Sequence, residues 1–134
     1  MGTHHASCHC GNVELEFDTP TTVVTLCHCQ NCRNLNGSDY SCWIHVPASQ
    51  LRIIKGELDL VSYEISELSY IQFCRRCGTK VCGSNGKYFQ NHRAVPLGVV
   101  KDYSAELMPQ FQVFTNFAAE WHVPADAPPI KDVN

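Results

Sequence analysis

Apolar and acidic residues alternate strictly along residues 13–18, Val-Glu-Leu-Glu-Phe-Asp. Successive side chains of a β-strand point to opposite faces, so a period of two separates the apolar residues from the acidic ones. The segment therefore predicts a strand with one face in a core and the other in water.

Further segments are rich in β-branched and aromatic residues, a composition typical of strands. They are 21–26, 40–46, 51–55, 58–65, 68–73, 94–100 and 111–114. Gly56 predicts a hairpin turn that joins 51–55 to 58–65, and Asn85-Gly86 predicts a second turn. Only 30–36 and 47–50 are expected to form helical turns. The pattern predicts a mainly β fold of short strands.

The length and composition of the chain predict a single domain over residues 1–134. It has 134 residues, of which 44% are hydrophobic and 17% charged, enough to bury one core. Residues 124–134 are expected to form a loose tail. The N-terminus lacks the basic and apolar regions of a secretory signal, and no apolar run approaches the roughly 18 residues of a membrane span. We therefore expect a cytoplasmic protein with no membrane partner.

The charge of the chain argues against a nucleic-acid partner. The net charge is −3 and the pI is about 6.1. Phosphate binding needs clustered lysine and arginine, and the only basic pair inside a motif is Arg75-Arg76. We expect no nucleic acid among the partners.

Cysteine is the most unusual feature of the composition, with nine residues in the chain. Without a sign of secretion these thiols are expected to be reduced, which favours metal over disulfides. Seven of them fall into three close groups: Cys8 with Cys10; Cys27, Cys29 and Cys32; Cys74 with Cys77. Thiols two or three positions apart on a tight turn can face one Zn²⁺ ion, which accepts tetrahedral thiolates. The groups predict zinc binding.

The number of thiols suggests that the groups differ in purpose. Seven thiols are one short of two closed four-thiolate sites. Structural zinc usually has four protein ligands, whereas catalytic zinc commonly has three and an open position. The triple group is therefore a candidate catalytic site, and the two pairs could combine into a structural site. The spacing alone also allows Cys42, Cys82 or a histidine to complete the second tetrahedron.

Three segments, taken in order, carry a resemblance to a known family. The segments SCHCGNVELEF, CHCQNCRNLNGS and FCRRCGTKV resemble the glutathione-dependent formaldehyde-activating enzyme family, whose domain is shared by centromere protein V. The resemblance runs from about residue 7 to residue 121. It implies a zinc-stapled, tent-shaped domain of short antiparallel strands.

The resemblance also implies the metal ligands. Two zinc ions per chain are expected. The structural ion is assigned to Cys8, Cys10, Cys74 and Cys77, and the catalytic-type ion to Cys27, Cys29 and Cys32. The second assignment agrees with the number of thiols counted above.

Two hypotheses for function follow. The first is a zinc-dependent carbon–sulfur lyase acting on a small thiol adduct, of glutathione or a related thiol, because a three-thiolate zinc suits sulfur chemistry better than hydrolysis. The alternative is a non-catalytic zinc module that binds another protein. For the lyase we predict His28 as a proton-transfer group and Arg33 as a partner for an anionic substrate.

The remaining residues of interest have simpler interpretations. Alternation along the chain points His28 and His9 away from the metal. Cys42 and Cys82 are interpreted as small buried hydrophobic residues. His45, His92 and His122 are expected to be structural or surface groups, while Ser38 and Tyr40 are candidates for lining a pocket.

Overall fold

A computed structural model describes residues 2–122 of the chain. The predicted tail at 124–134 lies outside the described residues. The described part is mainly β, as the pattern predicts. Its ten strands are Gly2–Ser7 (β1), Glu14–Thr19 (β2), Val23–Cys27 (β3), Ser41–Pro47 (β4), Leu51–Lys55 (β5), Leu60–Ser66 (β6), Ser69–Cys74 (β7), Lys80–Asn85 (β8), His92–Pro96 (β9) and Phe111–Val113 (β10).

The strands form two sheets. The smaller has the order β1-β2-β5 and the larger has the order β10-β3-β4-β9-β8-β7-β6. Every pairing is antiparallel except β10 with β3, which is parallel. The prediction of short antiparallel strands is therefore confirmed, with this one departure.

The main core lies between the two sheets. On β2 the predicted alternation buries Leu15 and Phe17 completely, while the acidic residues between them stay partly exposed. The larger sheet contributes Val24, Ile44 and Val95 to the same cluster. Burial of such aliphatic and aromatic side chains stabilises a domain by about 1.5–3 kcal/mol each.

The larger sheet also buries part of its other face. On β4 the residues Ile44 and Val46 face the main core, whereas Trp43 and His45 alternate with them and face the opposite side. Trp43 joins Cys27, Ile71 and Ala94 in a second apolar cluster. A strand that is apolar on both faces is typical of a sheet covered on both sides.

The hairpin predicted at Gly56 is wrong. β5 pairs with β2 in the small sheet, and β6 pairs with β7 in the large one, so the chain changes sheets at this glycine. Gly56 has φ of 80°, and a Cβ atom there would lie 2.2 Å from the carbonyl oxygen of Asn12. The glycine therefore permits a close crossing over the loop that follows Cys10.

Helical structure is short. The prediction at 30–36 is confirmed by helix α1, Gln30–Asn36, and that at 47–50 by the 3-10 turn Ala48–Gln50. Other 3-10 turns are Glu57–Asp59, Leu97–Val99, Ala105–Leu107 and Thr115–Phe117.

The strand predicted at 94–100 ends at Pro96, and β1 was not predicted. In the described range, no helix combines the length and apolar character needed to cross a bilayer.

Candidate metal centres and substrate cleft

Four cysteines from two distant segments meet at one end of the small sheet. Cys8 and Cys10 follow β1, while Cys74 ends β7 and Cys77 lies in the turn before β8. The four sulfur atoms lie within 4.8 Å of one another. The Cys8 and Cys10 sulfurs are 3.6 Å apart, and those of Cys10 and Cys74 are 3.8 Å apart.

This spacing fits a tetrahedral zinc site. With Zn–S bonds of about 2.3 Å, the sulfurs of a regular tetrahedron lie about 3.8 Å apart. The cluster could therefore hold a zinc ion, as could the triple cluster described below.

Backbone and hydroxyl donors surround the four sulfurs. The Val13 N–H donates to the Cys8 sulfur at 3.2 Å, and the Arg76 N–H approaches the Cys74 sulfur at 3.4 Å. The Cys77 sulfur lies 3.3 Å from the Thr79 hydroxyl. Hydrogen bonds from that hydroxyl, and then from backbone N–H groups of Thr79 and Cys10, lower the pKa of Cys77 to about 5. Cys77 thus favours the thiolate form that binds metal.

Asp59 holds the two halves of this cluster together. Its carboxylate accepts from Arg75 Nε at 2.8 Å and from the side chain of Asn12, while its backbone carbonyl accepts from the Arg75 N–H at 2.9 Å. Asn12 belongs to the loop after Cys10, and Arg75 lies between Cys74 and Cys77. Sequence reasoning missed this residue, because nothing local marks Asp59 as a neighbour of either segment.

The second cluster is local. Cys27 ends β3, Cys29 precedes α1 and Cys32 lies in its first turn, and their sulfurs lie within 4.8 Å of one another. The Cys29 sulfur caps the helix by accepting from the Cys32 N–H at 3.2 Å, and Gly37 ends the helix in the left-handed conformation with φ of 60°. Among residues 2–122, no fourth cysteine, histidine or carboxylate joins these three sulfurs.

The three thiols of this cluster differ in pKa. Donation from the Cys27 thiol, then from the Cys32 thiol and nearby backbone N–H groups, lowers the pKa of Cys29 to about 3. The pKa of Cys27 is raised because its thiol is the donor to Cys29. The Cys29 thiol is therefore the first of the three to ionise, and the thiolate is the form that binds a metal ion.

The three-cysteine cluster lies at a cleft of about 860 Å³ on the outer face of the large sheet. Apolar and aromatic side chains form most of its wall. These are Leu35, Trp43, Ile65, Leu68, Tyr70, Ile71, Tyr88, Phe89, Ala94, Val113 and Phe114. None of the four cysteines of the other cluster lines this cleft. The volume and the mixture of apolar walls with a few polar groups are typical of small-molecule sites.

Lys80 is the half-buried cation of the cleft. Its Nζ atom lies 5.3 Å from the centroid of the Trp43 ring and donates to the side-chain carbonyl of Asn36. Burial lowers the pKa of Lys80, and the negative charge of Cys32 and Cys29 acts in the opposite direction. The lysine is therefore close enough to the cysteines to feel their charge.

A β-bulge decides which way Lys80 faces. In the β7–β8 pairing Lys80 is opposite Phe73 and Cys82 is opposite Gln72, so Val81 is left without a partner. Phe73 and Ile71 share one face of β7, and Lys80 therefore lies on the same face as Gly83, which is opposite Ile71. Without the bulge Lys80 would share the face of Cys82. Sequence reasoning missed Lys80, since a bulge has no reliable local signal.

His28 and Arg33, the predicted catalytic residues, lie behind the cluster. Neither residue lines the cleft. His28 is fully buried, its Nε2 atom lies 2.9 Å from Gln112 Oε1, and its ring packs 4.4 Å from that of His122. Arg33 donates through Nη1 to the Phe117 carbonyl at 2.9 Å. Through these contacts His28, which precedes α1, is joined to β10, and Arg33 joins α1 to the 3-10 turn Thr115–Phe117.

Other histidines and pocket candidates are placed as follows. His45, expected to be structural or at the surface, is buried in the wall of the cleft and stacks on Phe89 at 3.8 Å. The alternation of Trp43 and His45 with Ile44 was the available signal for this position. Tyr40 packs on His28, and neither Tyr40 nor Ser38 lines the cleft. Cys42 is half-buried and Cys82 is fully buried. The Cys82 thiol is more than a small hydrophobic group, because its sulfur lies 3.0 Å from Gln72 Oε1 and 3.0 Å from Arg93 Nη2.

Comparisons with known proteins agree with this architecture. A family model described as glutathione-dependent formaldehyde-activating enzyme matches residues 3–117. None of the curated proteins compared with the chain matches it. A crystal structure of a Rhodobacter sphaeroides protein, solved by structural genomics, is similar in fold with a TM-score of 0.63 and 22% identity, covering 75% of this chain and 91% of that one. The chain belongs to the glutathione-dependent formaldehyde-activating enzyme family.

Proposed function

We propose that this member of the glutathione-dependent formaldehyde-activating enzyme family is a zinc-dependent carbon–sulfur lyase acting on a small thiol adduct. One observation carries the proposal. Cys27, Cys29 and Cys32 line the cleft, whereas the four-cysteine cluster lies away from it. A metal held by the three cysteines would therefore be accessible to a substrate.

The two clusters are assigned different zinc ions. Cys8, Cys10, Cys74 and Cys77 hold a structural ion, since four protein ligands complete a tetrahedron. Cys27, Cys29 and Cys32 hold the catalytic-type ion, and the fourth position is left to the substrate. When bound there, zinc supplies a soft Lewis acid that favours the thiolate form of a substrate thiol.

The reaction involves one carbon–sulfur bond and one proton. In the cleavage of a hydroxymethyl thioether, the carbon–sulfur bond breaks, its electron pair goes to sulfur, and the hydroxyl proton leaves as the carbonyl forms. The reverse reaction forms the same bond from a thiol and an aldehyde. Trp43, Ile71 and Phe114 line the cleft and restrict water around the adduct, which strengthens electrostatic interactions at the sulfur.

Zinc content tests the assignment of the ions. Elemental analysis of the zinc-loaded protein is expected to give two ions per chain, and Cys29→Ser is expected to give one. Chelator should remove the ion of the three-cysteine cluster first, because three protein ligands would leave a position open to the competitor. A wild-type value of one ion after zinc is added back would contradict the assignment.

Turnover tests the lyase itself. Hydroxymethyl adducts of glutathione and of simple thiols are mixed with zinc-loaded protein, and carbon–sulfur bond cleavage and formation are followed by exchange NMR. Wild type should accelerate the exchange of at least one adduct, and Cys29→Ser should lose this acceleration. Cys42→Ala is the matched control, since Cys42 is a half-buried thiol outside both clusters and the cleft. Equal rates in wild type and Cys29→Ser would exclude catalysis by the cluster.

The catalytic roles of His28 and Arg33 stay predictions. We propose that they act from behind the cluster, His28 through its bond to Gln112 and Arg33 through its bond to the Phe117 carbonyl. His28→Gln and Arg33→Gln are measured in the same exchange assay together with zinc content and thermal unfolding. A fall in kcat without a change in the other two properties supports catalytic roles. Loss of zinc instead indicates that the residues only support the ligands.

The alternative of a zinc module that binds another protein has one observation in its favour. β6 is an edge strand of the large sheet and exposes Val61 and Tyr63, and Leu58 just before it is 95% exposed. Exposed apolar residues at a sheet edge are a possible docking surface. Absence of turnover with every adduct, together with full zinc content, would favour this alternative. A cytoplasmic location stays a prediction under either function.

A further inference from the structure

The cleft is lined by one half-buried lysine. Lys80 is half-buried, with its ammonium above Trp43 and hydrogen-bonded to Asn36. An ammonium has three donor hydrogens, and Asn36 takes one of them. In the part of the chain that the structure describes, no carboxylate forms an ion pair with Lys80. The lysine therefore retains donors for an anion.

The other charged residues of the cleft lie at its rim. Lys87 is exposed, with its ammonium 5.3 Å from the ring centroid of Tyr88, and Glu67 is exposed in the β6–β7 turn. Water can solvate the charges of both side chains. Lys80 has given up part of its hydration, and a partly desolvated ammonium gains more from an anionic partner than an exposed one does.

The walls of the cleft favour an apolar ligand. Leu35, Trp43, Ile71, Val113 and Phe114 all line the cleft. A fully peptide-like ligand such as glutathione brings two carboxylates, an ammonium and two amides, most of which would lose water against these walls without a partner. A ligand with one anionic group and an apolar body loses less.

We propose that Lys80 binds the carboxylate of the substrate, and that the cleft selects thiols with one carboxylate and an apolar body over glutathione. The proposal rests on the proposed function for the thiol end, which goes to Cys27, Cys29 and Cys32. Lys80 is then a specificity-determining residue that holds the carboxylate, while the apolar body of the substrate lies against the walls of the cleft.

Binding of a matched ligand series tests the proposal without turnover. The ligands are 2-mercapto-3-phenylpropanoate, its methyl ester and glutathione, titrated into the zinc-loaded full chain by calorimetry. Trp43 fluorescence in a Trp121→Phe background is a second readout, because the chain has two tryptophans and this variant leaves only the one in the cleft. The variants are Lys80→Met, which removes the charge, and Lys80→Arg, which keeps it. Lys101→Met is the control for an exposed lysine outside the cleft.

The acid should bind wild type about tenfold to hundredfold more tightly than the ester, as expected for a charge-assisted hydrogen bond. Lys80→Met should remove that difference and leave the affinity for the ester unchanged. Lys80→Arg should retain most of it, and Lys101→Met all of it. Glutathione should bind more weakly than the phenyl acid.

Equal binding of acid and ester by wild type would overturn the proposal, as would failure of every ligand to bind. If Lys80→Met lowered the affinity for the acid and for the ester equally, the proposal would also be overturned. The lysine would then only balance the charge of the cysteine thiolates or fill space. The wild-type comparison of acid with ester decides the matter even if Lys80→Met does not fold. If the acid binds more tightly than the ester but no adduct is turned over, the lyase function is contradicted and the role of Lys80 is not. If an adduct is turned over but acid and ester bind equally, only the role of Lys80 is contradicted.

Discussion

The carboxylate of Asp59 lies 2.8 Å from the Nε atom of Arg75, and this ion pair ties the 3-10 turn before β6 to the loop that carries Cys74 and Cys77. The same carboxylate accepts a hydrogen bond from Asn12, beside Cys8 and Cys10. One side chain therefore spans both halves of a cysteine cluster that could hold a metal ion and whose members are far apart in the chain.

Replacing this carboxylate should loosen the four-cysteine site. In Asp59→Asn we expect release of zinc to a chelator to be about tenfold faster from that site, as is typical when residues that orient metal ligands are removed. Release is followed with a colorimetric chelator. Asp18→Asn is the matched control, because it removes another carboxylate paired with an arginine, Arg52, at 2.8 Å. Equal release from both variants would show that Asp59 does not position the ligands.

The two clusters should differ in their effect on stability. Zinc bound to finger-type sites contributes roughly 10–16 kcal/mol, comparable with the total stability of a domain, about 5–15 kcal/mol. Cys74→Ala should therefore unfold much of the protein, since Cys74 helps to join segments 64 residues apart in the sequence. Cys29→Ala should have a smaller effect on Tm, because its cluster lies within β3 and α1.

Cys82→Ala controls for the loss of a buried thiol. Cys82 and Cys74 are both completely buried, but only Cys74 belongs to a metal cluster. Replacing Cys82 should cost a small core truncation and the contacts of its sulfur with Gln72 and Arg93, which together remain smaller than the loss of a metal ion. If Cys29→Ala lowers Tm more than Cys74→Ala does, the structural and catalytic-type roles have been exchanged.

The buried imidazole of His45 should make the protein sensitive to acid. Burial, and then the nearby His92, lower the pKa of His45 to about 4. Its ordinary value in the unfolded chain is near 6.5. The unfolded chain therefore binds the proton first, so stability is complete above about pH 6.5 and is lost as the pH falls toward 4.

His45→Gln should remove this acid-dependent loss of stability. The glutamine keeps a polar group near Thr25, whose hydroxyl lies 3.3 Å from His45 Nε2. Between about pH 7.5 and pH 5, wild type should lose about 2 kcal/mol more in free energy of unfolding than the variant does. Urea unfolding at the two pH values measures the difference. Acid also weakens both metal sites, but it does so equally in the two proteins. An identical pH dependence would show that His45 is not held neutral by burial.

A side chain at position 56 should strain the crossing between the sheets. Gly56→Ala combines a positive φ with a Cβ atom 2.2 Å from the Asn12 carbonyl oxygen, and we expect a loss of about 2 kcal/mol or more in stability. Gly98→Ala is the control, because a Cβ atom there meets nothing within 4 Å and its φ is not positive. Urea unfolding of the two variants measures the costs, and equal costs would contradict the close approach.

Local sequence was enough to predict the parts of this protein that depend on near neighbours. The alternation along β2 predicts its buried face, since that face needs only the pleat of a strand. The spacing of Cys27, Cys29 and Cys32 predicts their convergence, because a strand end and one helical turn bring them together. These features hold in any fold that keeps the segments intact.

The remaining features depend on pairings between distant strands, which no local pattern specifies. Gly56 was expected to close a hairpin, but the pairing of β5 with β2 and of β6 with β7 makes it a crossing between sheets. Asp59 reaches the four-cysteine cluster only through that crossing. The bulge between β7 and β8 turns Lys80 toward the cleft, and a change of register by one residue would turn it away. The three groups of cysteines are thus predictable from short spacings. The meeting of two of those groups in one cluster, and the walls and charge of the cleft, were decided by strand order and register, because these are set by packing across the whole domain.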